Sequence, residues 1–187
     1  MWRINVRTIT VKDLMVPLEE YATVDPDATL YDAIITLEKA QKAFDPAKHK
    51  HRAVLVLDAV GKVVGKISIF DILIALEPKY GRFEAEGALA RSGYSSEFID
   101  SMLKDNALWG EPLEFVCDRA PELNVRDFME TPSDGVYIDE KAAMGEAIHQ
   151  IIIQKHHSLL VTREGEVVGI LRLTDVFATI CDKIKTC

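Results

Sequence analysis

The chain has 187 residues, of which 48% are hydrophobic and 28% are charged, and its net charge at pH 7 is −8. A chain of this length can bury a substantial core without disulfides or metals, and the composition is typical of a globular protein. The acidic balance argues against general nucleic-acid binding, because such binding needs a basic surface that displaces counterions from phosphates. We therefore expect no nucleic-acid partner.

The sequence shows no signal for export or for membrane insertion. Its first residues contain no apolar run of the signal-peptide type, and no stretch approaches the ~18 uncharged apolar residues of a membrane span. The cysteines Cys117, Cys181 and Cys187 have no spacing typical of a zinc or redox site. We expect a cytoplasmic protein with reduced thiols and no membrane contact.

Residues 1–77 predict one unit with the order β-α-β-β-α, preceded by a lead-in strand within 2–10 and a helical turn at 11–15. Thr29 can cap the first helix, whose apolar positions recur at helical spacing. A proline ends that helix within a loop insertion at about 42–51. The predicted elements are a strand at 22–24, a helix at 30–43, strands at 53–57 and 62–67, and a helix at about 70–76.

We predict a helical linker at residues 78–121, because this segment belongs to neither repeated unit and is too long for a simple connecting loop. The sequence after Ser95 predicts a capped amphipathic helix with Phe98 and Met102 on its apolar face, and Trp109 follows it. Two alternatives remain open for this apolar face. It packs on the core, or it binds a second subunit or a partner protein.

Residues 122–187 repeat the order of elements in the first unit. The run Gly65–Asp71 returns 104 positions later as Gly169–Asp175, and Val11–Met15 returns 114 positions later as Val125–Met129. The first copy is therefore ten residues longer than the second between these two runs. The predicted fold is α+β, with two pseudo-symmetric copies packed through their sheets. The elements of the second copy are a strand at 136–138, a helix at 142–154, strands at 158–162 and 166–171, and a helix at 175–184.

This arrangement closely resembles a tandem pair of CBS domains, the regulatory modules named after cystathionine β-synthase. The resemblance depends on the Val-x-Asp-x-Met runs, the glycine turns and the Gly-x-x-Ser-x-x-Asp of Gly65–Asp71, and it covers about residues 8–77 and 122–184. It implies a homodimer shaped as a disc of four copies, with clefts between copies that bind adenosine-containing ligands. AMP, ADP or ATP is the expected ligand, and S-adenosylmethionine and NAD are further candidates.

The resemblance also implies which residues contact the ligand, with each cleft drawing on both copies. In the family, an Asp at the start of the last helix and the Ser or Thr before it contact ribose and phosphate. Basic residues before the second strand reach the phosphates, and the backbone of the first strand contacts adenine. On this sequence the contacts fall on Thr23, Val24, Tyr137 and Ile138 for adenine, on Ser68, Asp71, Arg172, Thr174 and Asp175 for ribose and phosphate, and on Arg52 and His157 for added charge.

The residue types leave two questions open at these positions. Ser68 and Asp71 fit a capping box, which explains both residues without a ligand. A helix start also offers N–H donors and a positive dipole end to a phosphate, so a ligand role is equally consistent with the pattern. Arg172 stands where Ser68 stands in the first copy, and arginine cannot accept the capping hydrogen bond. It can meet a phosphate, or it can pair with Asp175 and close the second cleft.

The sequence does not indicate metal or catalytic chemistry. His49, His51, His156 and His157 lie in predicted loops, but no carboxylate or cysteine completes a metal-ligand spacing. No P-loop, Gly-x-Ser-x-Gly or His-Glu-x-x-His motif is present, so we expect no enzyme.

The resemblance therefore implies a stand-alone regulatory module for energy sensing. Nucleotide binding would shift its conformation or its dimer arrangement, and an unknown effector protein would respond. The alternative hypothesis is a ligand-free scaffold for dimerisation or for a partner protein. A role linked to magnesium or to transport is a third hypothesis, which the sequence does not test.

Overall fold

The computed structural model describes residues 9–43, 50–77, 79–80, 94–110 and 114–186. Within these ranges the chain forms six α-helices, none of them long and apolar enough to cross a membrane, and seven strands. The helices are α1 (Leu30–Ala43), α2 (Ile69–Leu76), α3 (Ser96–Asp105), α4 (Glu114–Arg119), α5 (Met144–Gln154) and α6 (Leu173–Lys185). The strands are β1 (Val16–Pro17), β2 (Thr23–Val24), β3 (Ala53–Leu57), β4 (Val63–Ser68), β5 (Tyr137–Asp139), β6 (Ser158–Arg163) and β7 (Glu166–Arg172).

The strands form two sheets, one for each copy. In the three-stranded sheet, β2 runs parallel to β3, and β3 is antiparallel to β4. The four-stranded sheet has the same pattern, since β5 is parallel to β6 and β6 is antiparallel to β7, and β1 is added at its edge. The predicted α+β class and the two pseudo-symmetric copies are therefore confirmed.

Three groups of buried side chains make up the core. One packs α1 and α2 against the first sheet and includes Leu30 and Ile67. The second packs α5 and α6 against the other sheet and includes Leu159 and Val176. The third group lies between the two copies and draws on both of them. Because burying one aliphatic side chain contributes about 1.5–3 kcal/mol, this group holds the copies together. Its members are Tyr21, Leu55, Val63, Val136, Leu160 and Ile170.

The run of residues that leads into each copy packs against the other copy. Val16 lies opposite Ile170 in the antiparallel pair of β1 with β7. At the matching place in the other sheet, Glu130 forms a backbone bridge with Lys66 of β4. Each copy therefore completes the sheet of the other one.

This exchange explains why two glycines recur together with the Val-x-Asp-x-Met runs. A Cβ built on Gly169 lies 2.6 Å from the carbonyl oxygen of Val16 and 3.1 Å from Sδ of Met15. A Cβ built on Gly65 overlaps the side chain of Met129, the methionine at the matching place. The glycine and the methionine are repeated together because each such pair is a contact between the two copies.

Predicted and observed elements agree to within a few residues, and one difference has a clear cause. The helix expected from Ala142 begins at Met144 instead. The carbonyl oxygen of Ala142 accepts a hydrogen bond from the backbone N of Val11 at 3.0 Å, so it is used between copies. The predicted lead-in strand falls mostly outside the described residues, as do residues 44–49 of the loop insertion.

The linker is attached to the end of α2 through the buried carboxylate of Glu77. Its Oε2 accepts a hydrogen bond from the backbone N of Trp109 at 2.8 Å. Helix α3 begins as predicted, with Oγ of Ser95 accepting from the backbone N of Phe98. Phe98 is 42% exposed and Trp109 is 37% exposed. Both side chains are more than half covered, and neither belongs to the three core groups.

Candidate functional site

A crevice opens between the copies at the first seam, where residues 66–71 face residues 130–136. It contains about 240 Å³ of space, part of which is open to solvent. The enclosed part of this space has room for about one water molecule, so a nucleotide requires the crevice to widen. Both copies contribute to the lining, which consists of Lys66, Glu130, Pro132, Val136, Ser158 and Leu160.

A cation and an anion face each other across this crevice. Nζ of Lys66 lies 3.0 Å from Oε2 of Glu130, and the lysine side chain is mostly buried whereas the glutamate is half exposed. Backbone hydrogen bonds of 3.0 and 2.9 Å join the same two residues in both directions. An ion pair with one partner in solvent contributes only about 0–1 kcal/mol, so an anionic ligand can displace Glu130 from Lys66 at little cost.

The predicted capping box at the start of α2 is confirmed. Oδ2 of Asp71 accepts hydrogen bonds from the backbone N and from Oγ of Ser68, both at 2.7 Å. Oγ of Ser68 in turn accepts from the backbone N of Asp71 at 3.2 Å. Oδ1 of Asp71 takes no part in this box. Because side chains alternate along a strand, Ser68 lies on the same face of β4 as Lys66, although neither Ser68 nor Asp71 is among the residues that line the crevice.

At the second seam, residues 170–175 face residues 16–22, and the corresponding helix start is built differently. Nε of Arg172 donates to Oδ2 of Asp175 at 2.5 Å, and Nη2 donates to Oδ1 at 2.8 Å. Arg172 is only 6% exposed. Of the two alternatives that the sequence leaves open for Arg172, the structure has the pairing with Asp175, which engages both carboxylate oxygens.

Two buried rings pack beside this ion pair. The rings of Tyr21 and His51 meet edge to face with centroids 4.4 Å apart, and Nδ1 of His51 lies 3.5 Å from Nη1 of Arg172. Burial raises the pKa of Tyr21 to about 12. Burial and the adjacent Arg172 cation lower the pKa of His51 to about 4. The second seam therefore holds a phenol and a neutral imidazole around a bidentate ion pair.

Sequence reasoning missed the roles of Tyr21 and Lys66, and it placed His51 in a loop, whereas the His51 side chain is buried. The repeat spacing contains a signal for Tyr21, which stands 114 positions before Gly135. A large side chain at one seam thus matches a glycine at the other. No comparable sequence signal marks Lys66, whose role depends on the exchanged run that brings Glu130 to it.

The four residues predicted to contact adenine lie on the two short strands that begin each copy. Thr23 and Val24 form β2, and Tyr137 and Ile138 belong to β5. The side chain of Ile138 is buried in the core on the helix side of its sheet. None of these four described residues lines the crevice, where Val136 takes that place. Their assignment to adenine stays a prediction.

The two residues predicted to add charge lie at the helix starts. The carbonyl oxygen of Arg52 accepts from the backbone N of Ile69 at 3.0 Å, and that of His157 accepts from the backbone N of Leu173 at 2.9 Å. The side chains of Arg52 and His157 are exposed. Thr174 lies half buried in the first turn of α6, directly before Asp175. Their contact with a ligand also stays a prediction.

The histidines do not assemble a metal site in the part of the chain that the structure describes. There, no group of three or more His, Cys, Asp or Glu side chains is arranged to hold a metal ion. His49 lies outside the described residues. Buried His51 contacts a tyrosine and an arginine, neither of which supplies a ligand set typical of a metal.

Comparison with family models identifies the repeat. Residues 11–78 and 125–182 each match the model of the CBS domain, and together they cover more than half of the chain. None of the curated protein sequences compared with the chain matches it.

Solved structures with a similar fold extend over nearly the whole chain. A CBS domain-containing protein of unknown function from Bacillus anthracis is 23% identical, with a TM-score of 0.61 over 95% of this chain and 96% of that one. CBSX2 in complex with AMP is 18% identical, with a TM-score of 0.58 over 92% and 97%. The CBS domain of a bacterial CNNM/CorC family Mg²⁺ transporter in complex with ATP is 17% identical, with a TM-score of 0.60 over 95% and 91%. At these identities the similarity concerns the fold alone.

Proposed function

The chain belongs to the CBS domain family, with one copy of the domain at residues 11–78 and another at 125–182, and from this premise we propose that it is a regulatory module for adenosine nucleotides. AMP, ADP or ATP binds between the copies and changes their arrangement, and a separate effector protein responds. The module regulates and does not catalyse. S-adenosylmethionine and NAD share the adenosine group and are the next candidates.

The observation that carries this proposal is the first seam. There, a crevice between the copies has the mostly buried cation Lys66 on its wall and the start of α2 beside it. Ser68 and Asp71 occupy that helix start, on the face of the strand that holds Lys66. A cation in the crevice, with a helix start and a carboxylate two residues further along the same strand face, matches the phosphate and the hydroxyl groups of a nucleotide.

Each group has a distinct part in binding. Oδ1 of Asp71, which the capping box does not use, accepts a ribose hydroxyl. The ammonium of Lys66 and the helix start attract the phosphate, and Arg52 adds charge from the exposed rim. Capping and binding are therefore compatible, because they use different oxygens of one carboxylate.

Signalling follows from the small size of the crevice. A nucleotide must displace Glu130 from Lys66 and separate β4 from residues 130–136, which are joined by two backbone hydrogen bonds. A ligand that binds the widened arrangement better than the narrow one shifts the population toward it. The relative position of the copies then reports whether nucleotide is bound.

The structures of CBSX2 with AMP and of the Mg²⁺ transporter domain with ATP support the choice of ligand class. We also propose a homodimer formed through α2 and α6, whose outer faces are apolar. Exposed apolar patches of this kind mark interaction surfaces, and sedimentation velocity tests whether the chain pairs. The exposed large apolar side chains on these helices are Ile69, Phe70, Leu73, Leu173, Phe177, Ile180 and Ile184.

A thermal-shift panel of AMP, ADP, ATP, NAD and S-adenosylmethionine tests the proposal. A ligand at 100 times its dissociation constant, bound only by the folded chain, stabilises it by ~2.7 kcal/mol. We expect such a shift with at least one adenine nucleotide, and we expect Asp71→Ala to abolish it. Glu19→Ala, which changes an exposed carboxylate outside the first seam, is the matched control. No shift with any of the five ligands at millimolar concentration would favour the ligand-free scaffold.

A further inference from the structure

We infer that the second seam is closed by the side chains of Tyr21 and Arg172, so that each chain binds one nucleotide and binds it in the first seam. The inference rests on the proposed function. To that function it adds how many nucleotides one chain binds and which side chains determine this number.

The two copies differ in side-chain size at matching positions. Arg172 stands where the first copy has Ser68, and Tyr21 stands where the second copy has Gly135. Both replacements put a large side chain into the second seam, and both of these side chains are buried there. The first seam has serine and glycine at the matching places; its crevice is lined by other residues, and the side chain of Gln154 lies against Gly135 and overlaps a Cβ built there. The closure is therefore inferred from the buried side chains of Tyr21 and Arg172 themselves.

The aspartates at the two helix starts differ in how many of their carboxylate oxygens are already hydrogen-bonded. The capping box at Asp71 occupies Oδ2. At Asp175, Nε and Nη2 of Arg172 occupy both oxygens. A ribose hydroxyl can bind Asp175 only if one of these two hydrogen bonds breaks. The buried guanidinium of Arg172 would then keep only one of its hydrogen bonds to the carboxylate. Taking one partner from a buried ion pair is strongly unfavourable, so the pair competes effectively with a ligand.

The surrounding residues do not favour a phosphate in the second seam either. Where the first seam has Lys66 facing Glu130, the second seam pairs Ile170 with Val16, two apolar residues. Arg172 is the cation that the second seam places at the helix start, and its guanidinium is directed to Asp175. A phosphate there would have to draw Arg172 away from Asp175 and leave that carboxylate behind.

Equilibrium dialysis with radiolabelled AMP, and separately with ATP, tests the inference through the stoichiometry per chain. We expect one ligand for the wild type and two for Tyr21→Gly combined with Arg172→Ser, which gives the second seam the residues of the first. The reverse change, Ser68→Arg, places a guanidinium beside Asp71 and should abolish binding. Melting curves and circular dichroism confirm that each variant is folded.

A wild-type stoichiometry of two overturns the inference and leaves the proposed function intact. A folded double variant that gains no site also overturns it. If the double variant does not fold, the single substitutions Asp71→Ala and Asp175→Ala decide the matter. In folded variants, the one ligand of the wild type should be lost on Asp71→Ala and retained on Asp175→Ala, and the opposite pattern overturns the inference. Loss of the proposed function looks different, since the wild type then binds neither nucleotide.

Discussion

The two seams are built on the same backbone plan and differ in what fills them. In each, the helix start is joined to its own sheet by an equivalent hydrogen bond, from Ile69 to Arg52 in one and from Leu173 to His157 in the other. The first seam has a crevice with a cation on its wall. The second is packed with two rings and an ion pair. A duplicated unit can thus keep its architecture while a few side chains remove the space at one of two equivalent places.

The two seams also differ in whether their charged groups serve the stability of the fold or the binding of a ligand. At the first seam the carboxylate of Glu130 is half exposed, so its ion pair with Lys66 contributes little to the fold and is available to a ligand. At the second seam Arg172 and Asp175 are mostly buried, and their charges depend on one another. The same substitution should therefore act mainly on stability at the second seam and mainly on ligand binding at the first. Three changes test this contrast.

The largest expected effect on stability is that of Asp175→Ala. It leaves the buried guanidinium of Arg172 without its carboxylate, and we expect the free energy of unfolding to fall by ~3–5 kcal/mol. Asp71→Ala, the equivalent change at the first seam, removes one member of a capping box and should cost only about 1 kcal/mol. Urea denaturation measures both values.

Removing Arg172 together with Asp175 serves as the control for this comparison. Because no uncompensated charge then remains, the double variant should be more stable than Asp175→Ala alone. A loss from Asp175→Ala no greater than the loss from Asp71→Ala would show that the second seam is as solvated as the first.

The next effect is a pH dependence that originates at His51. The pKa of His51 is about 4 in the folded chain because of burial and the nearby Arg172, and its ordinary value is 6.5. The unfolded chain takes up a proton near pH 6.5 and the folded chain does so only near pH 4. Stability therefore decreases as the pH falls through this window, by up to about 1.4 kcal/mol per pH unit.

Urea midpoints measured between pH 7 and pH 4 test this dependence. His51→Phe keeps a ring against Tyr21 and should flatten the curve. His157→Gln changes an exposed side chain and should leave the curve unchanged. Equal slopes for the wild type and His51→Phe would locate the acid sensitivity elsewhere.

The smallest expected effect concerns the two glycines that contact the exchanged runs. A Cβ at position 169 meets the backbone oxygen of Val16, which cannot move without shifting β1. We expect Gly169→Ala to lower the free energy of unfolding by ~1–3 kcal/mol. Gly65→Ala meets the flexible side chain of Met129, which can turn aside, and should cost less. Chemical denaturation ranks the two variants, and the reverse order would contradict the packing described for β1.

Local rules were sufficient to predict most of the elements from the sequence. The capping residues Ser68 and Ser95 mark the starts of α2 and α3, and a hydrogen bond between neighbours in the chain confirms each of them. The repeat of Gly65 at Gly169 locates the hairpins of both copies. These features depend on residues a few positions apart, and the sequence displays them directly.

The exchange of the leading runs was not predicted from the sequence. The pattern of Val11–Met15 is satisfied equally well by packing on its own copy or on the other copy, and only the tertiary structure chooses. The crevice depends on this choice, since Glu130 and Val136 reach Lys66 through it. Tyr21 could have been found by aligning the copies position by position, because it is matched by Gly135. The ligand contacts themselves remain predictions.

The exchanged runs have a consequence for the autonomy of the two halves. If residues 9–17 were removed, β7 would become an open edge, with unpaired backbone groups of the kind that recruit other chains. Separating the copies at the linker would expose β4 in the same way. A single half could cover its open edge strand only by forming a dimer with an identical half, in which each subunit adds its leading run to the sheet of the other. The tandem chain is in this sense an internal dimer whose two subunits are covalently joined.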